Sequence, residues 1–304
     1  MDFAGKTVIV TGSSDGIGRA AASAWAAARA TVVMVGRNEA KTVAAARAIM
    51  SATGNRQVHW AIADLSRRDA TLDLARDLAT RHPRIHVLAN NAGALFLDRE
   101  DTADGVERTF ALNHLAYMTL SLALLPNLAA AAMPGLPARV INVSSRAHRR
   151  ASVNPSDWQL REGYRGWRAY ANSKLYNLWF TRTLAARVDA ARLVVHAMHP
   201  GVVRSRFATN NGAMGRVQRQ IMNLVSVSPE QGADTLLWLS HAADAATSTG
   251  DYWVTRQRLS ISRLARRDDL ATQLWNASLP LTGLRAHEID ENLALLAPAA
   301  PLST

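Results

Sequence analysis

The chain reads as an α/β protein of 304 residues built on a doubly wound, parallel, seven-stranded sheet with helices on both faces. Three observations carry that reading. Short apolar runs alternate with longer stretches of helical periodicity, the order expected when a crossover helix follows each strand. The first apolar run ends in a glycine-rich turn that passes straight into an alanine-rich helix. Hydrophobic residues make up 48% of the chain and charged residues 19%, which supplies a large core and is far from a disordered composition.

Taken in order, strands are expected at about Thr7 to Thr11, Thr31 to Val35, Val58 to Ala63, His86 to Asn90, Arg139 to Val143, Val194 to His199 and Tyr252 to Thr255. Between them, Ala, Leu and Arg recur at helical spacing near Ile17 to Arg29, Ala40 to Ser51, Ala70 to Arg81, Gly105 to Leu128, Trp167 to Val188 and Pro229 to Ser240. Strand-helix alternation of this kind implies right-handed crossovers. No repeat of solenoid length and no low-complexity linker divides the chain, so residues 1–304 are read as one domain. Irregular stretches lie at Ala132 to Pro137, at about 146–166 and at about 205–225. The last two are longer than idle connections in such a fold, and we take them as substrate loops. A C-terminal extension begins at about 256, and its Pro/Ala-rich end is expected to fray.

Composition removes several function classes. With no cysteine, disulfides, thiolate chemistry and cysteine-held metals are excluded. No apolar stretch reaches the roughly 20 residues of a bilayer span. The alanine-rich segment before Ala30 is interrupted by Arg19 and Arg29, and Lys6 to Thr11 is too short for the core of a secretory signal. A cytoplasmic protein with no membrane anchor is expected. The net charge of +11 invites a nucleic-acid reading. The basic residues are nearly all arginine and scattered, and the densest group (Arg146, Arg149, Arg150, Arg161, Arg165, Arg168) has no helix-turn-helix, zinc or RNA-sheet signature beside it. A solvated basic face, without a nucleic-acid partner, is the reading we adopt, its field favouring an anionic cofactor. His148 and His199 have no second ligand at metal spacing on a shared helix face, so no metal site is expected.

The first strand ends at Thr11-Gly12-Ser13-Ser14-Asp15-Gly16-Ile17-Gly18. Gly12 permits a sharp turn, while Gly16 and Gly18 omit the Cβ atoms that would keep a pyrophosphate from the free N–H groups and positive end of the helix. Placed between strand and helix, the pattern predicts a Rossmann-type dinucleotide site. At the end of the second strand, where a cofactor lacking a 2′-phosphate would meet Asp or Glu, this chain has Gly36-Arg37-Asn38. A guanidinium there suits a phosphate, so NADP(H) is preferred, with NAD(H) kept open by the nearby Glu39. Asp64, beside Leu65, is placed to accept from the adenine amino group, and the small-residue turn Asn90-Asn91-Ala92-Gly93 to lie along the cofactor; taken alone, either is an ordinary polar turn.

Tyr170-Ala-Asn-Ser-Lys174 lies in a helical stretch, and a spacing of four puts phenol and ammonium on one face. An ammonium nearby favours the phenolate, the means by which a group of ordinary pKa ~10 becomes a general acid or base. Such a pair is common on surface helices; its company gives it meaning. Ile141-Asn142-Val143-Ser144-Ser145 ends a buried strand at the ligand-binding edge of the sheet, and Asn113 sits mid-helix, where an amide needs a task. The task expected of Asn113 is to hold a water next to Lys174.

These residues, with His199-Pro200-Gly201-Val202-Val203, resemble in order and spacing the short-chain dehydrogenases/reductases. Ser228-Pro-Glu-Gln-Gly232, Thr249-Gly-Asp-Tyr252 and Leu274-Trp-Asn276 extend the likeness to the retinol-dehydrogenase-like branch. The resemblance implies a catalytic tetrad of Asn113, Ser145, Tyr170 and Lys174. In it Tyr170 passes a proton to or from the substrate oxygen, Ser145 holds that oxygen, and Lys174 binds the nicotinamide ribose and lowers the Tyr170 pKa. Ser144 would pack beneath the nicotinamide. Cofactor contacts are implied for Gly12, Ser14, Asp15, Gly16, Ile17, Gly18, Arg37, Asp64, Leu65, Asn91, Ala92, Gly93, Val143, Tyr170, Lys174, Pro200, Gly201, Val203 and Ser205, the last standing in for the family's usual threonine. The implied partner is a small carbonyl or alcohol substrate, lipophilic to judge by Leu95, Phe96 and Trp158; assembly into a homo-oligomer is left open. The branch's N-terminal anchor has no counterpart here, which sets retinoids in question, and Ala28-Arg29-Ala30 lacks the glycine that usually ends the first helix. The competing reading is a cofactor-responsive binding protein that keeps the fold without turnover.

Overall fold

The valine-rich runs do form strands, and a computed structural model of the chain describes them within residues 1–201 and 227–298. They are β1 (Thr7–Thr11), β2 (Thr31–Gly36), β3 (Val58–Ile62), β4 (Val87–Asn90), β5 (Ala138–Val143), β6 (Leu193–His199), β7 (Tyr252–Val254) and a short β8 (Gln257–Arg258). The sheet runs β3-β2-β1-β4-β5-β6-β7-β8, parallel except for the β7–β8 pair. Successive residues point to opposite faces: Val8, Val10, Val32 and Met34 enter one apolar layer, Ile9, Val33 and Val35 the other. Both layers are sealed by helices, which is why these strands are apolar throughout instead of alternating.

The helices are α1 (Gly16–Ala27), α2 (Glu39–Thr53), α3 (Arg68–Arg81), α4 (Arg108–Ala123), α5 (Leu125–Ala131), α6 (Gly166–Ala185), α7 (Pro229–Leu239), α8 (Asp268–Thr282) and α9 (Ala286–Ala294). No single helix among the described residues is long and apolar enough to cross a membrane. The chain winds from β1 outward to β3, then returns to β4 and winds the other way. That reversal opens a crevice beyond the carboxyl ends of β1 and β4, where the motif residues gather.

Two expectations need correction. Among the described residues the sheet has eight strands, not seven: Thr255 (φ 47°) and Arg256 (φ 61°) turn the chain back into β8, and neither residue type announces a left-handed turn. The single helix expected over Gly105 to Leu128 is interrupted: α4 contains a π-turn at Ala111–Leu115 and bends by 55° into α5, where Pro126 occupies the first turn. After α1, where a glycine would serve, Arg29 adopts φ 68° itself, at a steric cost of about 1–2 kcal/mol.

Candidate active site

The glycine turn is packed so closely that side chains would not fit. A Cβ on Gly12 (φ 64°) would come within 2.8 Å of Ala92 Cα, and one on Gly18 within 2.5 Å of Gly12 O. Asp15 caps α1 by accepting from Gly16 N at 2.8 Å, which leaves the N–H groups of Ile17 and Gly18 without intrahelical acceptors. Asn91 braces the turn from below, its amide donating to Thr11 O (2.8 Å) and Gly12 O (3.2 Å), while Thr11 Oγ1 accepts from the N–H groups of Asn91 and Ala92. Asn91 thus spends its side-chain amide on shaping the cradle. Open glycine backbone at a helix N-terminus fits a dinucleotide pyrophosphate. Arg37 is exposed just beyond β2. Asp64 commits one carboxylate oxygen to the N–H and hydroxyl of Ser66, and Leu65 is buried beneath.

The tetrad residues converge from three elements: Asn113 from α4, Ser145 from the turn after β5, and Tyr170 and Lys174 from α6. Lys174, on α6 and 3% exposed, donates from Nζ to Val143 O at the end of β5 at 2.9 Å. Gly93 brings the β4 turn against the same pair of side chains: a Cβ there would lie 3.2 Å from Asn113 Oδ1 and 3.4 Å from Lys174 Nζ. Ser145 begins a 3-10 turn (Arg146–Arg150), its Oγ accepting from Ala147 N at 3.2 Å, and it also hydrogen-bonds Tyr170. Tyr170 is half-buried, one turn before Lys174, whose Nζ lies 5.6 Å from the phenol ring centroid.

Two further residues brace the site. Asn113 is fully buried in the π-turn, where its Oδ1 accepts from Ala94 N and its Nδ2 donates to Ala94 O and Ser173 Oγ, so both amide hydrogens are committed to protein and one Oδ1 lone pair remains. Ser144, 2% exposed, donates to Lys174 O at 2.7 Å and so ties α6 to β5.

Burial dominates the electrostatics. It lowers the Lys174 ammonium to about 7 and pushes the Tyr170 phenol up to about 12, the Ser145 hydrogen bond acting in the opposite sense. Sequence reasoning also missed Tyr117, whose Oη donates to Ala92 O at 2.8 Å and whose ring centroid lies 5.7 Å from Lys174 Nζ, and Ser173, which links Asn113 to Tyr170 O. A signal existed for both: Tyr117 falls four residues after Asn113, on one helix face, and Ser173 lies inside the Tyr170–Lys174 motif. Pro200 and Gly201 (φ 84°) close β6 beside the site; Val202, Val203, Ser205 and the loop at 205–225 lie outside the described residues.

Comparison with known proteins agrees with this geometry. Human retinol dehydrogenase 12 is 35% identical over 285 residues, 94% of this chain and 89% of its own length. Mouse polyprenol dehydrogenase is 32% identical over 291 residues, 94% and 86% of the two chains. Among solved structures, the Pseudomonas aeruginosa RhlG/NADP active-site complex superposes with a TM-score of 0.65 at 27% identity, over 83% of this chain and 94% of that one. The short chain dehydrogenase family model matches residues 6–215, and the chain, an NAD(P)-type oxidoreductase by fold and sequence, belongs to that family.

Proposed function

We propose that the chain interconverts a carbonyl and an alcohol using NADP(H), with Tyr170 as the general acid/base. The observation that carries this reading is the convergence of Tyr170, Ser145 and Lys174 at the carboxyl edge of the sheet, beside a cradle that only glycine permits. A bound nicotinamide would supply or take up the hydride. The rest falls to the protein. Gly12, Ser14, Ile17 and Gly18 would receive the pyrophosphate, Arg37 the 2′-phosphate, Asp64 the adenine and Lys174 the ribose hydroxyls.

A phenol standing at about 12 is fully protonated near neutral pH, which suits the reductive direction. Tyr170 donates its proton as the substrate oxygen gains alkoxide character, and the Ser145 hydroxyl holds that oxygen in place. Arg37 supports NADP(H) over NAD(H), as does the NADP in the RhlG complex. Leu95, Phe96 and Trp158, together with relatives named for retinol and polyprenol, support a lipophilic substrate. The test follows NADPH absorbance with a panel of aldehydes and ketones. Tyr170→Phe should lower turnover by about 10²-fold or more while NADPH still binds by fluorescence titration; a variant that keeps most of its rate refutes the assignment. Equal affinities for NADPH and NADH refute the role given to Arg37.

A further inference from the structure

Beside Ser145, at the end of β6 and the start of β7, three buried side chains carry polar atoms that meet no partner among the described residues: His148 Nε2, His199 Nδ1 and Tyr252 Oη. The residues are 1%, 8% and 2% exposed. Each unpaired atom costs about 1–3 kcal/mol in such surroundings, so each asks for a ligand. They are neighbours. The His148 and Tyr252 rings meet edge to face with centroids 5.1 Å apart. His199 stands two residues beyond Ala197, the β6 residue paired with Tyr252, so the His199 and Tyr252 side chains share one face of the sheet. His148 Nδ1 meets Ser145 O at 2.7 Å, so the group borders the proposed site of the substrate oxygen.

Its hydrogen-bonding character is specific. His148 Nδ1 lies 2.7 Å from Ser145 O, and a carbonyl only accepts, so Nδ1 holds the ring's hydrogen and Nε2 presents a lone pair. Burial keeps all three groups neutral: it lowers both histidines, His199 to about 4, and raises the Tyr252 phenol. A carboxylate entering here would set its lone pairs against that of His148. A hydroxyl meets no such conflict, since it donates to Nε2 and accepts from Tyr252 Oη.

We infer that His148, His199 and Tyr252 form a specificity pocket for a hydroxyl group that the substrate carries at a distance from its carbonyl carbon. This rests on the carbonyl-reductase reading above, and its failure is separable from that one. With the full chain and NADPH, kcat/KM is measured for a series of straight-chain alkanals and for their ω-hydroxy counterparts, the varied length scanning the distance between carbonyl and pocket. At one length the hydroxylated aldehyde should be favoured by roughly tenfold or more. Tyr252→Phe, which removes one oxygen, should bring that ratio to about one, whereas loss of a different buried phenol in Tyr176→Phe should preserve it. Turnover of alkanals without a hydroxyl preference at any length, a preference that survives Tyr252→Phe, or one that Tyr176→Phe also erases overturns the pocket alone. No turnover of any aldehyde overturns the reductase reading and the pocket with it. Should Tyr252→Phe fail to fold, histidine ¹⁵N spectra of the wild-type protein serve instead. The corresponding α,ω-diol should move the His148 Nε2 resonance and the simple alcohol should not; equal responses refute the inference.

Discussion

Lys174 imposes a cost on the fold that its own removal should expose. Its ammonium is 3% exposed, and burial lowers its pKa from 10.5 to about 7. The unfolded chain keeps the ordinary value, so between about pH 7 and 10.5 the unfolded state binds more protons and stability rises with pH. Below about pH 7 both states hold the proton and the whole penalty applies, roughly 5 kcal/mol at about 1.4 kcal/mol per pKa unit. Lys174→Met removes the charge and keeps much of the volume. It also removes the donor to Val143 O, leaving that carbonyl only the Asn177 amide at 3.5 Å, a loss of about 1–3 kcal/mol. The variant should therefore be inactive yet more stable than the wild type by about 2 kcal/mol near pH 7, with the advantage shrinking as pH rises. Urea unfolding followed by circular dichroism from about pH 6 to about 9, without cofactor, measures both slopes. Relative to the variant, the wild type should gain about 2 kcal/mol between pH 7 and 9. A difference between the two proteins that does not change with pH, or a variant less stable than the wild type at pH 7, refutes the desolvation argument.

Other consequences follow from single contacts. Gly18→Ala sets a methyl 2.5 Å from Gly12 O and 2.7 Å from Asn91 Nδ2. NADPH affinity should fall by at least about tenfold in a fluorescence titration, and an unchanged affinity would remove the cradle from the argument. Asn113→Ala strips both the N–H and the carbonyl of Ala94 of their partners. Unfolding free energy should drop by about 2–4 kcal/mol, whereas a loss under about 1 kcal/mol would show that the π-turn does not anchor the β4 loop. Arg29→Gly relieves a left-handed arginine at φ 68° and gives up only an exposed pair with Asp2. The gain should be about 1 kcal/mol, seen as a Tm rise of about 2 °C; a lower Tm would contradict the strain assigned to that residue.

How much of this was legible beforehand depended on the range of the interaction. Strand and helix positions follow from local periodicity, and seven of the eight strands stand within about a residue of expectation because apolar runs bounded by turns constrain their ends. The eighth escaped because Thr255 and Arg256 turn left-handed without glycine or asparagine. The Tyr170/Lys174 pair was legible for a similar reason: four residues on one helix share a face whatever the helix packs against.

What the sequence by itself determined, then, is the fold class, the glycine turn and the identity of the reactive side chains, all properties of neighbours along the chain. Only the tertiary structure decided how those side chains are employed. Asn113 and Asn91 proved to be braces because backbone groups from distant segments, Ala94, Thr11 and Gly12, arrive within reach of their amides. The sense of the Tyr170 and Lys174 shifts, and the meeting of His148 with Tyr252, likewise depend on which surfaces exclude water together. Desolvation is a sum over everything packed around a group, and no local pattern of residues contains that sum.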